Sequence, residues 1–258
     1  MFGASFSKDT VENIFNAFGI CDKIFKPTLT VNDLGISYRT INNWESNDLM
    51  LSERENNRNW HKFSFVDFVW LSIVFELRQL GFPLNKINKL KQFLNENIGE
   101  ESLLAVKRTE ARVLLNNKEL NRLVLLLAEI MYNKNHIALL CNKEGSFYIY
   151  NEQMMRDEQL NFDPGKIQFS NYVSISLTDI IMKYLFTVKL EIIQSTKILN
   201  EEFYELVCKL RNNEITNLHF HINRKESFEI NCDLFENYNE FINACFRLIL
   251  TLRVESIT

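Results

Sequence analysis

The 258-residue sequence contains little glycine and little proline, with 7 and 3 residues respectively. Scarce glycine argues against a fold that binds nucleotides through a glycine-rich loop. Scarcity of both residues argues against a loop-rich β-sandwich. The hydrophobic share of 46% is normal for a globular protein and too high for a disordered one. The length therefore predicts one or two globular domains.

Cysteine pairs and long apolar runs are also missing. The five cysteines form no Cys-x-x-Cys pair, and their odd number and wide spacing favour free thiols in a reducing compartment. Residues 1–9 lack the apolar segment of a signal peptide. The apolar run Leu123–Met131 is interrupted by Glu129 and is too short to span a bilayer. We therefore expect a cytoplasmic protein with no membrane partner.

The motifs of common enzyme classes are absent as well. The sequence holds no Gly-x-Ser-x-Gly, no phosphate-binding loop and no His-Glu-x-x-His, which are the spacings that nucleophilic, phosphoryl-transfer and metalloprotease sites require. An isolated histidine or cysteine is not a nucleophile by itself. We expect no enzymatic activity, no catalytic residue and no cofactor.

Two histidines raise the question of a metal site. His219 and His221 alternate along a predicted strand, so both point to one face, and Cys232 ends the next predicted strand. These residue types bind zinc, but no cysteine pair accompanies them. Ordinary strand histidines are the preferred interpretation, and no metal is expected.

Charge is distributed unevenly along the chain. Residues 25–95 carry nine basic and seven acidic residues, a net charge of +2, although the whole chain has a net charge of −4. The overall acidity excludes a uniformly basic protein that coats nucleic acid, but it does not exclude a basic surface. This asymmetry is typical of a nucleic-acid-binding part joined to an acidic body.

Hydrophobic periodicity and capping residues predict two short helices at the start of this segment. Thr28 or Thr30 caps a first helix, Gly35 breaks it, and Ser37 caps a second helix over Tyr38–Asn47. A helix, a tight glycine-containing turn and a second helix form the helix-turn-helix pattern.

The next residues predict a small wing and two further helices. Leu49–Leu51 and Trp60–Phe63 are predicted strands on either side of a polar loop. Ser64 caps a third helix, with an acidic residue three positions on as in a capping box. Pro83 stands near the start of a fourth helix.

Three blocks of residues resemble the MerR family in order and spacing. Residues 35–45, Gly-Ile-Ser-Tyr-Arg-Thr-Ile-Asn-Asn-Trp-Glu, resemble its recognition-helix signature. Residues 60–67 resemble the end of its wing, and residues 77–87 resemble its Leu-Arg-x-Leu-Gly-Phe segment. The resemblance covers about residues 25–95 and implies a winged helix-turn-helix fold. It also implies a bacterial transcription regulator that binds double-stranded DNA as a homodimer.

The chain departs from the family pattern at several positions. Asp48 stands where the family usually has glycine after the second helix, although aspartate tolerates a left-handed backbone. Asn42 replaces a frequent arginine, His61 replaces the usual arginine of the wing, and Asn59 replaces its glycine. These departures bear on the target sequence rather than on the fold.

DNA-binding residues are predicted on the second helix and on the wing. Arg39 can bind guanine or phosphate, and Asn42 and Asn43 can bind adenine. The resemblance also implies DNA-surface positions for Trp44 and Trp60, for which core packing is an equal alternative. The predicted set is Ser37, Tyr38, Arg39, Asn42, Asn43, Trp44, Arg54, Arg58, Trp60, His61 and Lys62. Its wing members would contact the DNA backbone, the alternative for the two loop arginines being a solvated loop.

The sequence beyond residue 95 mixes helical and strand periods and resembles no family. Predicted strands lie at 136–141, 146–150, 172–176, 218–222 and 228–232, and predicted helices at 177–186, 200–211 and 238–252. The apolar stripe of Lys118–Tyr132 predicts either a dimerisation helix or, preferably, the buried helix of a separate domain. Phe147, Tyr148 and Tyr150 suit an effector pocket, a core or a subunit interface.

The predicted fold class is α+β, with an N-terminal MerR-like winged helix-turn-helix followed by a mixed α+β C-terminal domain. The predicted divisions are an N-terminal helical arm at 1–24, the DNA-binding domain at 25–95, a helical connector at 96–115, and a dimerisation or effector domain at 116–258. The effector would be a small molecule or a protein.

Three functions stay open on the sequence. The first is a sequence-specific, dimeric transcription regulator. The second is a DNA-organising or recombination accessory protein that uses the same module. The third is a protein-interaction module whose helix-turn-helix no longer binds DNA.

Overall fold

The computed structural model describes residues 24–51, 61–96, 121–133, 136–151, 172–196, 198–199, 201–223, 226–251 and 256–257. Within these ranges helices and antiparallel strands surround one hydrophobic core, which confirms the α+β class. The predicted arm at 1–24 lies outside the described residues except for Ile24, and the predicted connector at 96–115 except for Glu96.

Residues 25–95, the segment predicted to bind DNA, contain four of the described helices. They are α1 (Val31–Leu34), α2 (Tyr38–Ser46), α3 (Phe65–Gln79) and α4 (Leu84–Asn95). Thr30, not Thr28, caps α1, because its backbone N–H and its hydroxyl both donate to Asp33 Oδ2, at 2.8 and 2.7 Å. Gly35 then ends α1 at φ 65°, a left-handed conformation that glycine adopts without steric cost.

The starts of the later helices agree with the sequence. Ser37 caps α2, and its Oγ accepts a hydrogen bond from Thr40 N at 3.1 Å. Ser64 caps α3 in a complete capping box with Asp67, which satisfies backbone donors that have no partner inside the helix. Pro83 directly precedes α4.

The predicted strand at Leu49–Leu51 is wrong. Phe63 pairs instead with Leu29, in an isolated antiparallel bridge with N–O distances of 2.8 and 2.9 Å. The Leu49 carbonyl accepts a hydrogen bond from the Trp70 indole at 2.6 Å, so this stretch is tied to α3. The loop at 52–60 lies outside the described residues, and the residues that flank it form no wing hairpin.

The C-terminal part begins with helix α5 (Arg122–Asn133) and a three-stranded antiparallel sheet. Its strands are β1 (Ile137–Cys141), β2 (Phe147–Asn151) and β3 (Val173–Ser176), in the order β2-β1-β3. The predicted hairpin is confirmed, with Gly145 in its turn at φ 91°. The predicted strand at 172–176 is confirmed as β3.

Further helices lead into a second antiparallel sheet. They are α6 (Leu177–Thr187), α7 (Leu190–Thr196) and α8 (Glu201–Arg211), followed by strands β4 (Asn217–Asn223) and β5 (Glu226–Asn231), a 3-10 turn, helix α9 (Tyr238–Thr251) and strand β6 (Ser256–Ile257). The sheet order is β5-β4-β6. The sequence missed α7, because a helix of seven residues is too short to show a clear apolar period.

The two parts of the chain share one core. Tyr184 on α6 is fully buried, and its ring packs edge-on against Phe65 and Phe68 of α3, with centroid distances of 4.7 and 5.1 Å. Helix α5 packs against α4 and α9, and its residues 123–127 and Ile130 are buried within the chain. It is therefore the buried helix of the two roles considered, not an exposed dimerisation helix. No helix in the described ranges is both long enough and apolar enough to cross a membrane.

Candidate nucleic-acid interface

Helix α2 has one buried face and one exposed face. Ile41 and Trp44 are 0% and 2% exposed and pack in the core. Tyr38, Arg39 and Asn42, like Asn43, are exposed. The expected surface position of Trp44 is therefore not observed, and its indole holds α2 in place rather than reaching a ligand.

The N-terminal end of α2 is suited to bind an anion. Its first turn carries no acidic residue, and a helix N-terminus offers backbone N–H groups and the positive end of the helix dipole. The Ser37 hydroxyl is engaged locally, because its Oγ lies 2.7 Å from Thr40 Oγ1 and caps the helix. Arg39 is exposed and forms no ion pair or hydrogen bond with any described residue. Within the described part of the chain its guanidinium is thus available for a phosphate or a guanine.

Asn43 is partly occupied by the end of its own helix. Its side-chain Oδ1 accepts from Asn47 Nδ2 at 3.2 Å, and the same Nδ2 donates to the Asn43 carbonyl at 2.7 Å. Reading an adenine takes both the oxygen and the nitrogen of an asparagine amide, so Asn43 must exchange the Asn47 contact for the base.

The C-terminal end of α2 is held by two residues that the sequence analysis missed. Asn88 Nδ2 donates to the Asn47 carbonyl at 3.1 Å. Lys91 Nζ donates to the Asp48 carbonyl at 2.7 Å and lies 3.1 Å from Asp48 Oδ1. Asp48 has a left-handed backbone, φ 57°, as its place in the usual glycine position predicts. The i, i+3 spacing of Asn88 and Lys91 places both side chains on one face of α4, and this shared face could have been recognised from the sequence.

The wing residues divide into three groups. Lys62 is exposed. His61 is only 5% exposed, and its ring stacks on Phe63 with centroids 4.4 Å apart, so its expected contact with the DNA backbone is not observed. Arg54, Arg58 and Trp60 lie outside the described residues.

The possible metal site at His219, His221 and Cys232 is not formed among the described residues. Among the described residues no three histidine, cysteine or acidic side chains cluster around a point where a metal ion could bind. His219 Nε2 instead lies 3.7 Å from Glu229 Oε1, across the β4–β5 pair.

Two aromatic residues of β2, Phe147 and Tyr148, pack against other aromatic rings. The ring centroids of Phe147 and Phe93 lie 6.5 Å apart, and the ring of Tyr148 packs edge-on against that of Tyr172 with centroids 5.4 Å apart. The described C-terminal residues do form an open groove of 690 Å³ between α6 and α9. An ion pair of 3.1 Å between Arg247 and Asp179 crosses this groove.

Comparison with known proteins supports the helix-turn-helix assignment. The model of the MerR HTH family of regulatory proteins matches residues 30–94, a range that runs from the N-cap of α1 nearly to the end of α4. No curated protein and no solved structure matches the chain. Residues 30–94 are therefore a helix-turn-helix DNA-binding domain of the MerR family of transcription regulators.

Proposed function

We propose that this protein is a sequence-specific transcription regulator that binds double-stranded DNA through the exposed face of α2. The observation that carries the proposal is the N-terminal end of α2. It is exposed, contains no acidic residue in its first turn and presents Arg39 without an ion pair in the described part of the chain. A planar guanidinium binds the O6 and N7 atoms of guanine with two parallel hydrogen bonds.

The proposal includes a dimer on a two-fold symmetric site. A single small DNA-binding module buries only about 600–1,000 Å² of protein surface, which is little for tight specific binding. Two half-sites about one helical turn apart would double the contacts. Because α5 is buried in its own chain, the dimer contacts must come from another surface. Sedimentation of the full-length protein with and without DNA measures the stoichiometry.

The test is selection of bound duplexes from a random pool, followed by titration of the enriched duplex at several salt concentrations. Three proteins are compared: wild type, Arg39→Ala and Arg39→Lys. We expect Arg39→Ala to lose about 1–3 kcal/mol of specific binding. We expect Arg39→Lys to keep the affinity for unrelated DNA but to lose discrimination, because lysine keeps the charge without the planar pair of donors.

The matched control is Lys89→Ala, which removes an exposed positive charge from α4 and should leave specific binding unchanged. Wild-type specificity in Arg39→Ala would contradict the proposed readout. An enriched motif found away from promoters would favour a DNA-organising protein. No enrichment, with weak binding that is insensitive to salt, would favour a protein-interaction module, since phosphate contacts make affinity fall steeply with salt.

A further inference from the structure

Helix α4 lies against the end of α2 that is opposite to Arg39. Asn88 and Lys91 together donate to two consecutive backbone carbonyls, those of Asn47 and Asp48. Carbonyls at a helix C-terminus have no partner within the helix and carry the negative end of its dipole. An amide donor and an ammonium group therefore satisfy the end of α2 both by hydrogen bonding and by charge.

Lys91 is committed to this contact. Its side chain is 15% exposed, whereas that of Asp48 is 91% exposed. Most of the Lys91 side chain is thus covered, and its ammonium group is engaged by the carbonyl and the carboxylate of Asp48. A non-glycine residue with positive φ is disfavoured, so the two bonds from Lys91 also hold Asp48 in the conformation that directs the chain away from α2.

Helix α4 is itself anchored on its other sides. Ile87 and Leu90 are fully buried, and α4 packs against α3 and α5. Lys86 Nζ donates to the Glu144 carbonyl at 2.5 Å, in the turn between β1 and β2. A Cβ atom at Gly145 would lie 2.8 Å from Lys86 Cδ, so the lysine stem and the turn are in close contact. The C-terminal sheet therefore fixes the helix that holds the end of α2.

We propose that Asn88 and Lys91 are positioning residues for DNA reading, which set the angle at which α2 presents Arg39 to the bases. This inference rests on the function proposed above. Arg39 and Asn47 are separated by about 12 Å along the helix axis at 1.5 Å per residue, so a small rotation at the held end displaces the reading end. A recognition group must be held within about 0.5 Å of its productive position by the residues that support it.

The experiment uses the full-length variants Asn88→Ala and Lys91→Met. Methionine keeps an unbranched stem and removes the ammonium group. The matched control is Lys89→Met, which removes the charge of an exposed lysine on the same helix. Each protein is titrated with the selected duplex and with a scrambled duplex over a salt series.

We expect the affinity of both variants for the selected duplex to fall by about tenfold, or about 1.4 kcal/mol. The affinity for the scrambled duplex and the salt slope should stay at the wild-type values, and Lys89→Met should behave as wild type. Amide hydrogen exchange should become faster at Asp48 and Leu49 and should not change in α6.

Three results would overturn the inference while leaving the proposed function in place. The first is wild-type affinity in both variants. The second is an equal loss of affinity for both duplexes in Lys91→Met, with the magnitude of the salt slope lowered by about 0.9, which would make Lys91 a phosphate contact. The third is faster exchange throughout the protein, which would make the two residues merely structural. Absence of any specific binding by the wild type would overturn the proposed function as well.

Discussion

Replacing Tyr184 by alanine tests whether the DNA-binding segment and the C-terminal part unfold together. Tyr184 is fully buried and belongs to α6, but its ring contacts are with Phe65 and Phe68 of α3. All three tryptophans of the chain, Trp44, Trp60 and Trp70, lie in the DNA-binding segment. Tryptophan fluorescence therefore reports on one part of the molecule while the substitution lies in the other.

The magnitude follows from the burial and the two ring contacts. Truncating a fully buried aromatic side chain to alanine costs about 3–5 kcal/mol, which includes about 0.5–1.5 kcal/mol for each aromatic pair. With a urea m-value of about 2 kcal/mol per M, a loss of 4 kcal/mol lowers the unfolding midpoint by about 2 M. Tyr184→Phe keeps both ring contacts and serves as the control, with a much smaller shift.

Urea unfolding is followed by tryptophan fluorescence and by far-ultraviolet circular dichroism on the same samples. We expect both signals of Tyr184→Ala to shift together, because removing the ring weakens the shared core at α3. A fluorescence transition that stays at the wild-type midpoint, while the dichroism transition moves to lower urea, would refute the reasoning. It would show that the two parts fold as independent domains.

Three further results are expected. Ser64→Ala should lower the free energy of unfolding by about 1–2 kcal/mol, measured by urea unfolding with Ser64→Thr as control, because Ser64 Oγ accepts from Asp67 N at 3.1 Å. Burial raises the pKa of Cys141, Cys245 and Tyr184 each to about 12. In the unfolded chain these groups lose their protons at a lower pH than in the folded chain. The free energy of unfolding is therefore unaffected by them below the ordinary thiol pKa of 9.0. It falls as the pH rises from there towards 12, by up to about 1.4 kcal/mol per pH unit and group. A urea midpoint that is the same at about pH 8 and about pH 10.5 would contradict this sign. For the same reason iodoacetamide at about pH 8 should leave Cys141 and Cys245 unmodified in the native protein, as peptide mass spectrometry would show, since only the thiolate reacts.

Short sequence motifs were sufficient to predict several of the caps, helix ends and turns of the fold. The capping box of Ser64 and Asp67, the left-handed Gly35 and the hairpin turn at Gly145 each depend on neighbours in the chain. The order and spacing of the three blocks at 35–45, 60–67 and 77–87 were enough to indicate the MerR family, which the match to residues 30–94 supports. The exposed position of Arg39 followed from the helical period, because Ile41 and Trp44 occupy the opposite face.

Features that depend on distant partners did not follow from the sequence. A strand was expected at Leu49–Leu51, but the Leu49 carbonyl bonds to Trp70, and Phe63 pairs with Leu29. Such choices are decided by which partner is in reach once the helices have packed. Periodicity along one segment carries no information about that partner.

The sequence by itself therefore determined the helices of the DNA-binding segment, the caps of all but the first of them, and the family of the segment, because these rest on local backbone preferences and on side-chain spacing. Only the tertiary structure decided that Trp44 and His61, both predicted at the DNA surface, do not reach solvent. Trp44 is buried because its ring packs in the hydrophobic core, and His61 is buried where its ring stacks on Phe63. It also decided that Asn88 and Lys91 hold the end of α2, since a polar contact between separate helices exists only after apolar packing has brought them together.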